Sequence, residues 1–384
     1  MSGVLFYNKC RIKTDVLTSI QLTEAEEKDV NFYDYDGFRL LSYTNAEALA
    51  LTELPANPAV NENLTFDEWN WTLADIKTQI NNVGGIVNVG AIYHTTDNKT
   101  HITCKPTETF PQAHICLTPT ATDAVTVNWG DGTTDTWAST TQEIKSHTYT
   151  GVTDSSVYDI AISCSSGTYS FATYIAGSNT NNKNCVYTDI KLSNKVTSLG
   201  GNCFQYCCSL QSITLPNNIN FTSLGNNCFQ NCYSLQSITI PSGVTSLGGS
   251  CFSSCYSLQS IAIPSGVTSL GGSCFRTCYS LQTITLSNNS NFISLPIYCF
   301  YTCSSLKYIT IPSTVTSLGG NCLEQCKSLQ KIYMKPTTPP TLGNTTTLTN
   351  NTGLVIYVPT DTLSTYQSAD NWSTYSSKMI EYNL

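Results

Sequence analysis

A short cysteine motif recurs six times in the second half of the chain. Cys-Phe-x-x-Cys, or Cys-Leu-x-x-Cys in the last copy, starts at residues 203, 228, 251, 274, 299 and 322, so the spacings are 25, 23, 23, 25 and 23. Repetition at a period of about 20 to 50 residues is typical of stacked repeats. The two longer spacings contain PNNINFTSL and SNNSNFISL where the others have PSGVTSL, so the extra residues fall in an Asn-rich turn.

Each copy carries its apolar residues at fixed places. Leu-x-x-Ile-x-Ile alternates as a short strand does, and the Pro that follows it in most copies ends the strand. A single copy has too few apolar side chains to offset the ordering entropy of its residues, so it does not fold alone. Stacked copies share their faces, which predicts a solenoid stabilised by the interfaces between neighbouring coils.

In a stack, each cysteine lies above the cysteine of the previous coil, which predicts two internal columns of small apolar residues. The residues are Cys203, Cys207, Cys228, Cys232, Cys251, Cys255, Cys274, Cys278, Cys299, Cys303, Cys322 and Cys326. Zinc is disfavoured because one motif repeats along an axis and the array has no His to complete a tetrahedral set. Disulfides stay an alternative because stacked strands lie about 4.8 Å apart, but free thiols are the favoured interpretation.

The pattern NCYSLQSITIPSGVTSLGGSCF, residues 231–252, and its copies resemble the BspA-like leucine-rich repeat family from about residue 186 to the C-terminus. Here Cys replaces the small Ala that usually precedes Phe in that family. KIYMKPTTPPTLG and the segment with Tyr366, Trp372 and Tyr375 resemble that family's closing cap. The resemblance implies a recognition scaffold without catalytic residues.

The length and charge of the chain limit which further domains and functions are expected. A chain of 384 residues is expected to form more than one domain. Its net charge is −8 and only 11% of residues are charged, which argues against nucleic-acid binding. Lys9, Arg11 and Lys13 follow a short apolar patch, the wrong order for a secretory signal, and no apolar run has the length of a membrane helix.

The first hundred residues hold 14 acidic against 7 basic residues. Thr65 with Glu68 three positions later resembles a capping box, and Phe66, Trp69, Leu73, Ile76 and Ile80 follow at helical spacing. These residues predict a helix that ends at Gly84 and Gly85. The segment from Gly90 to Cys104 is expected to form a hairpin with its turn at Asp97 and Asn98.

The next segment changes to short strands. VNWGDGT, followed about fifteen residues later by HTY, resembles a PKD-like β-sandwich. A calcium loop at Asp131 and Asp135 is the alternative, but the acidic spacing and terminal Glu of such a loop are absent, so a structural turn is favoured. A polar linker, from Gly167 to Asn184, is expected to lead into the repeats.

We therefore expect a mainly β, multidomain chain. An α+β part at residues 1–105 would precede the PKD-like sandwich at 106–178, the repeats at 186–334 and the cap at 335–384.

The sequence contains no recognisable catalytic set or nucleotide-binding motif. His94 and His101 could face each other across the hairpin and bind a metal, but two ligands favour ordinary surface imidazoles. An enzyme with a site beside the sandwich is the weakest of three functional hypotheses. No enzyme activity, cofactor or metal is expected.

Two sets of outward residues are candidate ligand contacts. Tyrosine follows the second cysteine in three successive copies, and stacked tyrosines can bind sugar rings or peptide. The strands also present hydroxyls and Tyr308, although both sets would equally serve as polar ladders that keep the array soluble. The candidates are Tyr233, Tyr256, Tyr279, Tyr308, Ser237, Thr239, Ser260, Thr283 and Thr285.

The leading hypothesis is a surface protein of a bacteriophage virion, on the tail or capsid. The N-terminal part would dock onto other virion proteins, and the array would adhere to host glycan or protein. The order of segments resembles that of gut bacterial and phage surface proteins, beginning with NFYDYDGFRLLSYTNAEALALTELPANP. A bacterial cell-surface adhesin is the alternative. No membrane insertion is expected, and a homo-oligomer is left open.

Overall fold

The fold was analysed in a computed structural model that describes residues 29–34, 38–56, 64–82, 86–172, 186–351 and 353–382. The predictions made on Lys9, Arg11, Lys13, Gly84, Gly85 and most of the polar linker lie outside these residues. The described chain is mainly β, as predicted, with short helices at its two ends.

The N-terminal unit, residues 29–95, is a four-stranded sheet of order β2-β1-β4-β3 with two helices. Its elements are β1 (Val30–Tyr33), β2 (Arg39–Tyr43), α1 (Asn45–Ala50), β3 (Leu64–Trp69), α2 (Leu73–Asn82) and β4 (Val87–Thr95). The rings of Phe32 and Trp69 meet edge to face with centroids 4.9 Å apart, inside a core separate from that of the rest of the chain.

The predicted start of the helix at Thr65 is wrong. Leu64–Trp69 is a strand that pairs antiparallel with β4, and the helix begins at Leu73. The Thr72 hydroxyl accepts a hydrogen bond from the Asp75 N–H at 3.1 Å, and the Asp75 carboxylate accepts one from the Thr72 N–H at 3.4 Å. The reciprocal cap therefore exists seven residues later than predicted, because pairing with β4 outweighs the local helical spacing.

The predicted hairpin from Gly90 to Cys104 is also wrong, although its turn is confirmed. Asn98 has a φ of 56° and donates from its N–H to the Thr95 carbonyl at 3.1 Å. The two strands then part: β4 pairs within the N-terminal unit, whereas β5 (Thr100–Cys104) pairs with two strands beyond it. The turn at Asp97 and Asn98 therefore connects the N-terminal unit to the second unit.

The second unit, residues 100–172, has two sheets that share one core. Its other strands are β6 (Gln112–Pro119), β7 (Val125–Asn128), β8 (Thr134–Trp137), β9 (Glu143–Thr148), β10 (Tyr158–Cys164) and β11 (Tyr169–Phe171). β5 belongs to this sandwich although the predicted boundary at 105/106 left it outside. β11 lies inside the bounds predicted for the sandwich, residues 106–178.

Both sheets of the sandwich continue into the repeat array, residues 186–334. β5 pairs antiparallel with β12, which pairs parallel with β14. β11 pairs antiparallel with β6 and parallel with β13. Strands of the sandwich therefore pair with both strands of the first coil, so the strand edges at this end of the array are not left open.

The array has short parallel strands, two in most coils. They are β12 (Tyr187–Lys191), β13 (Val196–Leu199), β14 (Ser212–Thr214), β15 (Ser223–Leu224), β16 (Ser246–Leu247), β17 (Ser260–Ala262), β18 (Ser269–Leu270), β19 (Thr283–Thr285), β20 (Ser294–Leu295), β21 (Tyr308–Ile311), β22 (Ser317–Leu318), β23 (Lys331–Met334) and β24 (Thr341–Leu342). Equivalent residues pair between neighbouring coils, as Ser260 does with Thr283.

The cap consists of β25 (Val355–Pro359), α3 (Leu363–Ser368), a 3-10 helix (Trp372–Lys378) and β26 (Met379–Tyr382). Tyr366 and Trp372 are buried and donate from the hydroxyl and indole to the carbonyls of Pro336 and Pro340, both at 2.6 Å. Tyr375 is also buried. One continuous core runs from the sandwich through the array into this cap. None of the described helices could cross a membrane.

Candidate functional site

Tyr233, Tyr256 and Tyr279 form a stacked column on the outside of the array. The ring centroids are 4.7 Å apart in the first pair and 4.9 Å in the second, and the rings are 13° and 27° from parallel. Tyr256 is 37% exposed and Tyr279 is 42% exposed. We call these three residues the tyrosine column; it presents ring edges and hydroxyl groups to solvent.

Backbone hydrogen bonds between coils hold the column in register. The N–H of Ser257 donates to the Tyr233 carbonyl at 3.1 Å, and the N–H of Ser280 donates to the Tyr256 carbonyl at 3.2 Å. The residue two places before each tyrosine adopts a positive φ, 63° at Ser254 for example. This left-handed residue turns the chain inward to place the second cysteine and then outward to place the tyrosine.

A column of glutamines accompanies the tyrosines three residues further along each coil. The Gln236 N–H donates to the Gln211 carbonyl, Gln259 to Gln236 and Gln282 to Gln259, at 3.1, 3.3 and 2.8 Å. Their amides and the tyrosine hydroxyls make the surface polar and uncharged. Such groups suit hydroxyl-rich ligands, because amides and hydroxyls both donate and accept hydrogen bonds.

The hydroxyl face, defined by the predicted residues Ser237, Thr239, Ser260, Thr283 and Thr285, lies against the N-terminal unit. The Asn88 side-chain amide donates to the Thr283 hydroxyl at 3.1 Å, and the Asn88 N–H donates to the Thr285 hydroxyl at 3.1 Å. Thr285 in turn donates to the Ile86 carbonyl at 3.0 Å. Thr283 and Thr285 are buried, so at these positions the ligand of the hydroxyl face is the chain's own N-terminal unit.

A cavity of about 30 Å³ lies between β4 and the hydroxyl face. It is lined on one side by Asn88 and Gly90 and on the other by Ser237, Thr239 and Ser260. This volume accommodates ordered water rather than a sugar or peptide. Tyr308 lies in β21 with its Cα opposite Lys331, on a strand as predicted and apart from the tyrosine column.

The two cysteine columns lie inside the array, and the sixteen cysteines of the described residues carry free thiols. In the second column the thiol of each coil donates to the phenylalanine carbonyl of the preceding coil. The bonds are Cys232 to Phe204, Cys255 to Phe229, Cys278 to Phe252, Cys303 to Phe275 and Cys326 to Phe300, at 3.1 to 3.3 Å. The sequence indicated burial, but the donor role depends on which backbone oxygen faces the sulfur.

Burial also controls the chemistry of these thiols. It raises the pKa of Cys278 and of Cys322 to about 12, because a thiolate is poorly solvated in an apolar interior. In the first column, the sulfurs of Cys203 and Cys228 are 3.4 Å apart. Beside the thiols, the Phe252 ring stacks on its neighbours of the adjacent coils with centroids 5.4 Å away on each side.

The histidines do not meet one another. The His94 ring contacts the Asp67 carboxylate at 2.5 Å, whereas His101 lies between Asp159 at 2.9 Å and Asp97 at 3.0 Å. Within the part of the chain that the structure describes, no three His, Cys, Asp or Glu side chains converge as a metal site would require.

Asp131, in the Gly-Asp-Gly turn, and Asp135, just after it, bond to protein groups. Asp131 accepts from the Thr133 hydroxyl at 2.6 Å and contacts the His147 ring at 2.7 Å. Asp135 accepts from the Trp129 indole at 2.8 Å. These bonds fit the structural turn favoured from the sequence.

Three solved structures are similar to this chain. A T. pallidum leucine-rich repeat protein has 20% identity and a TM-score of 0.33 over 42% of this chain and 82% of that one. A Bacteroides ovatus leucine-rich repeat protein has 22% identity and a TM-score of 0.31 over 57% and 72%. A leucine rich cell surface protein of Faecalibacterium prausnitzii has 24% identity and a TM-score of 0.30 over 50% and 62%.

No curated protein matches the chain. Two overlapping stretches, residues 177–296 and 222–351, match the family described as BspA type leucine rich repeat region, in six copies. This match covers the coils that carry the tyrosine column and both cysteine columns. Over residues 177–351, the chain is therefore similar to the BspA type leucine rich repeat family.

Proposed function

We propose that the chain is a non-enzymatic adhesion protein that binds a host-surface glycan through the tyrosine column. The exposed stack of Tyr233, Tyr256 and Tyr279 carries this proposal. Tyrosines supply contact area at low entropic cost, and the adjacent glutamine column supplies amides. A host-surface protein is the second ligand class.

We further propose that the protein is displayed on a bacteriophage virion, on the tail or capsid. The N-terminal unit would dock onto other virion proteins through the sides that do not contact the hydroxyl face, and the sandwich, with its resemblance to PKD-like domains, would act as a spacer. The alternative is a bacterial cell-surface adhesin, which the cell-surface description of the Faecalibacterium prausnitzii protein favours.

Adhesion is tested with the purified full chain on host cells and on a glycan array. Tyr256→Ser should weaken binding about tenfold, because it removes the middle ring of the column, a contact of the size of other aromatic anchors. Serine is tolerated at this position of the array, since Ser304 occupies it in a later coil. Tyr301→Ser is the matched control, because Tyr301 meets Tyr298 edge to face, away from the tyrosine column.

Equal adhesion of Tyr256→Ser and the unaltered chain would contradict the proposed site. The place of display is tested separately by electron microscopy of source material labelled with an antibody against the array. Label on virions supports the phage proposal, and label on bacterial envelopes alone favours the alternative.

A further inference from the structure

The tyrosine column ends abruptly at Tyr279. Ser304 and then Lys327 occupy the same position in the next two coils. Backbone hydrogen bonds keep that alignment, because the Ser305 N–H donates to the Tyr279 carbonyl at 3.2 Å and the Ser328 N–H donates to the Ser304 carbonyl at 3.1 Å. A serine therefore stands where a fourth ring would continue the stack.

The position above the Ser304 side chain, next to Tyr279, is where a fourth ring would lie if the column continued. The tyrosine centroids repeat at 4.7 and 4.9 Å, so a ring here would lie against Tyr279 at the same spacing. At 42%, Tyr279 is the most exposed of the three rings. Because its neighbour in the next coil is a serine, the side of Tyr279 that faces Ser304 is the side that a planar or chair-shaped ligand ring would contact.

Positive charge is concentrated around this place. Lys307 replaces the glutamine of the adjacent column in the same coil, and Lys327 follows Ser304 in the next coil; both are exposed. Neither forms an ion pair with a described residue. The third basic side chain between residues 197 and 330 is Arg276, which lies over the rings of Tyr298 and Tyr301 instead.

We propose that the place above Ser304 binds an acidic sugar residue, an inference that rests on the proposed glycan binding and deepens it. The sugar ring would lie on the free face of Tyr279, and its carboxylate would pair with Lys307 and Lys327. The Ser304 hydroxyl and the Gln282 amide are within the same two coils and would bond ring hydroxyls. The surrounding Ser, Thr and Gln side chains favour a sugar over an acidic peptide, whose apolar side chains need an apolar wall.

The test measures binding of the full chain to oligogalacturonate and to a neutral galactose oligomer of equal length. The unaltered chain should bind the acidic oligomer more tightly, with an affinity that falls as salt is added. Ser304→Tyr fills the place while keeping both lysines, and Lys307→Gln restores the residue of the glutamine column. Each should weaken binding of the acidic oligomer about tenfold, the size of one lost charge-assisted contact.

Lys105→Gln is the matched control, because it removes the same charge from an exposed position outside the array and should leave binding unchanged. Thermal melts confirm that each variant is folded. If Ser304→Tyr binds the acidic oligomer as the unaltered chain does, the inference is overturned. It is overturned as well if an acidic, aromatic peptide binds in place of both oligomers. If the unaltered chain adheres to host cells but does not prefer the acidic oligomer, the inference of an acidic-sugar site is overturned and the proposed adhesion function stands. If the unaltered chain does not adhere to host cells at all, both the inference and the proposed function are contradicted.

Discussion

The second cysteine of each coil combines two properties at one position. Its side chain fills an internal column, and its thiol donates to the carbonyl of a phenylalanine in the preceding coil, as Cys255 does to Phe229 at 3.3 Å. Alanine would fill the column but remove the thiol donor, which would leave the Phe229 carbonyl with the Cys232 N–H, at 3.1 Å, as its donor and lose one hydrogen bond. Cysteine therefore suits the position better than the small apolar residue that its spacing alone indicates.

His101 gives the fold a pH-dependent contribution. Hydrogen bonds to Asp159 and then Asp97 raise its pKa above the usual 6.5. The charged pair therefore stabilises the fold fully below the unfolded pKa, about 6.5, and this stabilisation is lost as pH rises through the higher folded value. His101→Gln should cost about 0.5–1 kcal/mol at about pH 5.5 and less at about pH 8.5. Urea unfolding of both proteins at the two pH values measures this, and a cost independent of pH would contradict it.

Individual residues differ in how far the sequence predicts them. Tyr directly follows the second Cys in copies that are 23 residues apart. This pattern was enough to predict that the two side chains lie on opposite sides of the coil, with Cys inside and Tyr outside. The partners of Asp131 and Asp135 were not predictable, because His147 and the Trp129 indole reach them only after the sandwich has formed. Similarly, the donor role of Cys255 depends on the offset between neighbouring coils.

At the scale of elements, each coil is shaped by two left-handed turns and a central apolar side chain, which is Phe in five copies of the motif and Leu323 in the last. The residue before each cysteine of the motif has a positive φ, 53° at Ser250 and 63° at Ser254. The ring of Phe171 in the sandwich contacts Phe204, the first ring of the stack in the array, at a tilt of 44° and with centroids 5.2 Å apart. The elements of the two units are therefore joined by the side-chain column as well as by strand pairing.

The buried Cys278 thiol of the second cysteine column should be unreactive in the folded protein. A thiol with a pKa of about 12, as at Cys278, is about one part in ten thousand thiolate at about pH 8. Alkylation followed by peptide mapping should therefore label Cys278 only after unfolding. Cys208 lies in the same array and is partly exposed, so it serves as the internal control. Labelling of Cys278 at the rate of Cys208 would show that the columns open in the native state.

Elements were predicted well where they depend on local pattern and poorly where they depend on a distant partner. The Leu-x-x-Ile-x-Ile strands form where expected in most coils, but the copy at residues 235–240 keeps the position and forms no regular strand. β3 was predicted as part of a helix because Phe66 and Trp69 fit a helical stripe, and only β4 makes it a strand. β5 was assigned to a hairpin because nothing local shows that its partners are β10 and β12.

At the scale of the molecule, the sandwich, array and cap share one core, and the N-terminal unit has its own. The N-terminal unit lies along the hydroxyl face through Asn88, and Glu68 accepts a hydrogen bond from the Ser242 hydroxyl at 2.9 Å. The sequence showed the hydroxyl column but could not show that another part of the same chain covers it. This cover leaves the tyrosine column, rather than the hydroxyl face, as the proposed ligand contact.

Gly90 permits the close approach of the two units. A Cβ at this residue would lie 2.3 Å from the Thr239 hydroxyl oxygen and 2.6 Å from its methyl carbon. Gly90→Ala should therefore weaken the contact by about 1–3 kcal/mol, seen as faster hydrogen exchange of β4 and of Thr283 and Thr285.

Thr239→Ala alone should have a small effect, but in the Gly90→Ala background it should restore part of the protection, since it removes both close atoms. Unchanged exchange in Gly90→Ala would mean that the units adjust without separating.

The closure of the array at both ends has an evolutionary consequence. Because a coil pairs only with its two neighbours, duplication or loss of a 23-residue unit leaves the sandwich and the cap with the same kinds of partners. One added coil would lengthen the array by about 4.8 Å, so the length of the array changes in steps of one coil. A lineage that recombines these repeats can thus change the number of tyrosines in the column, and the position of the serine that ends it, without redesigning either terminus.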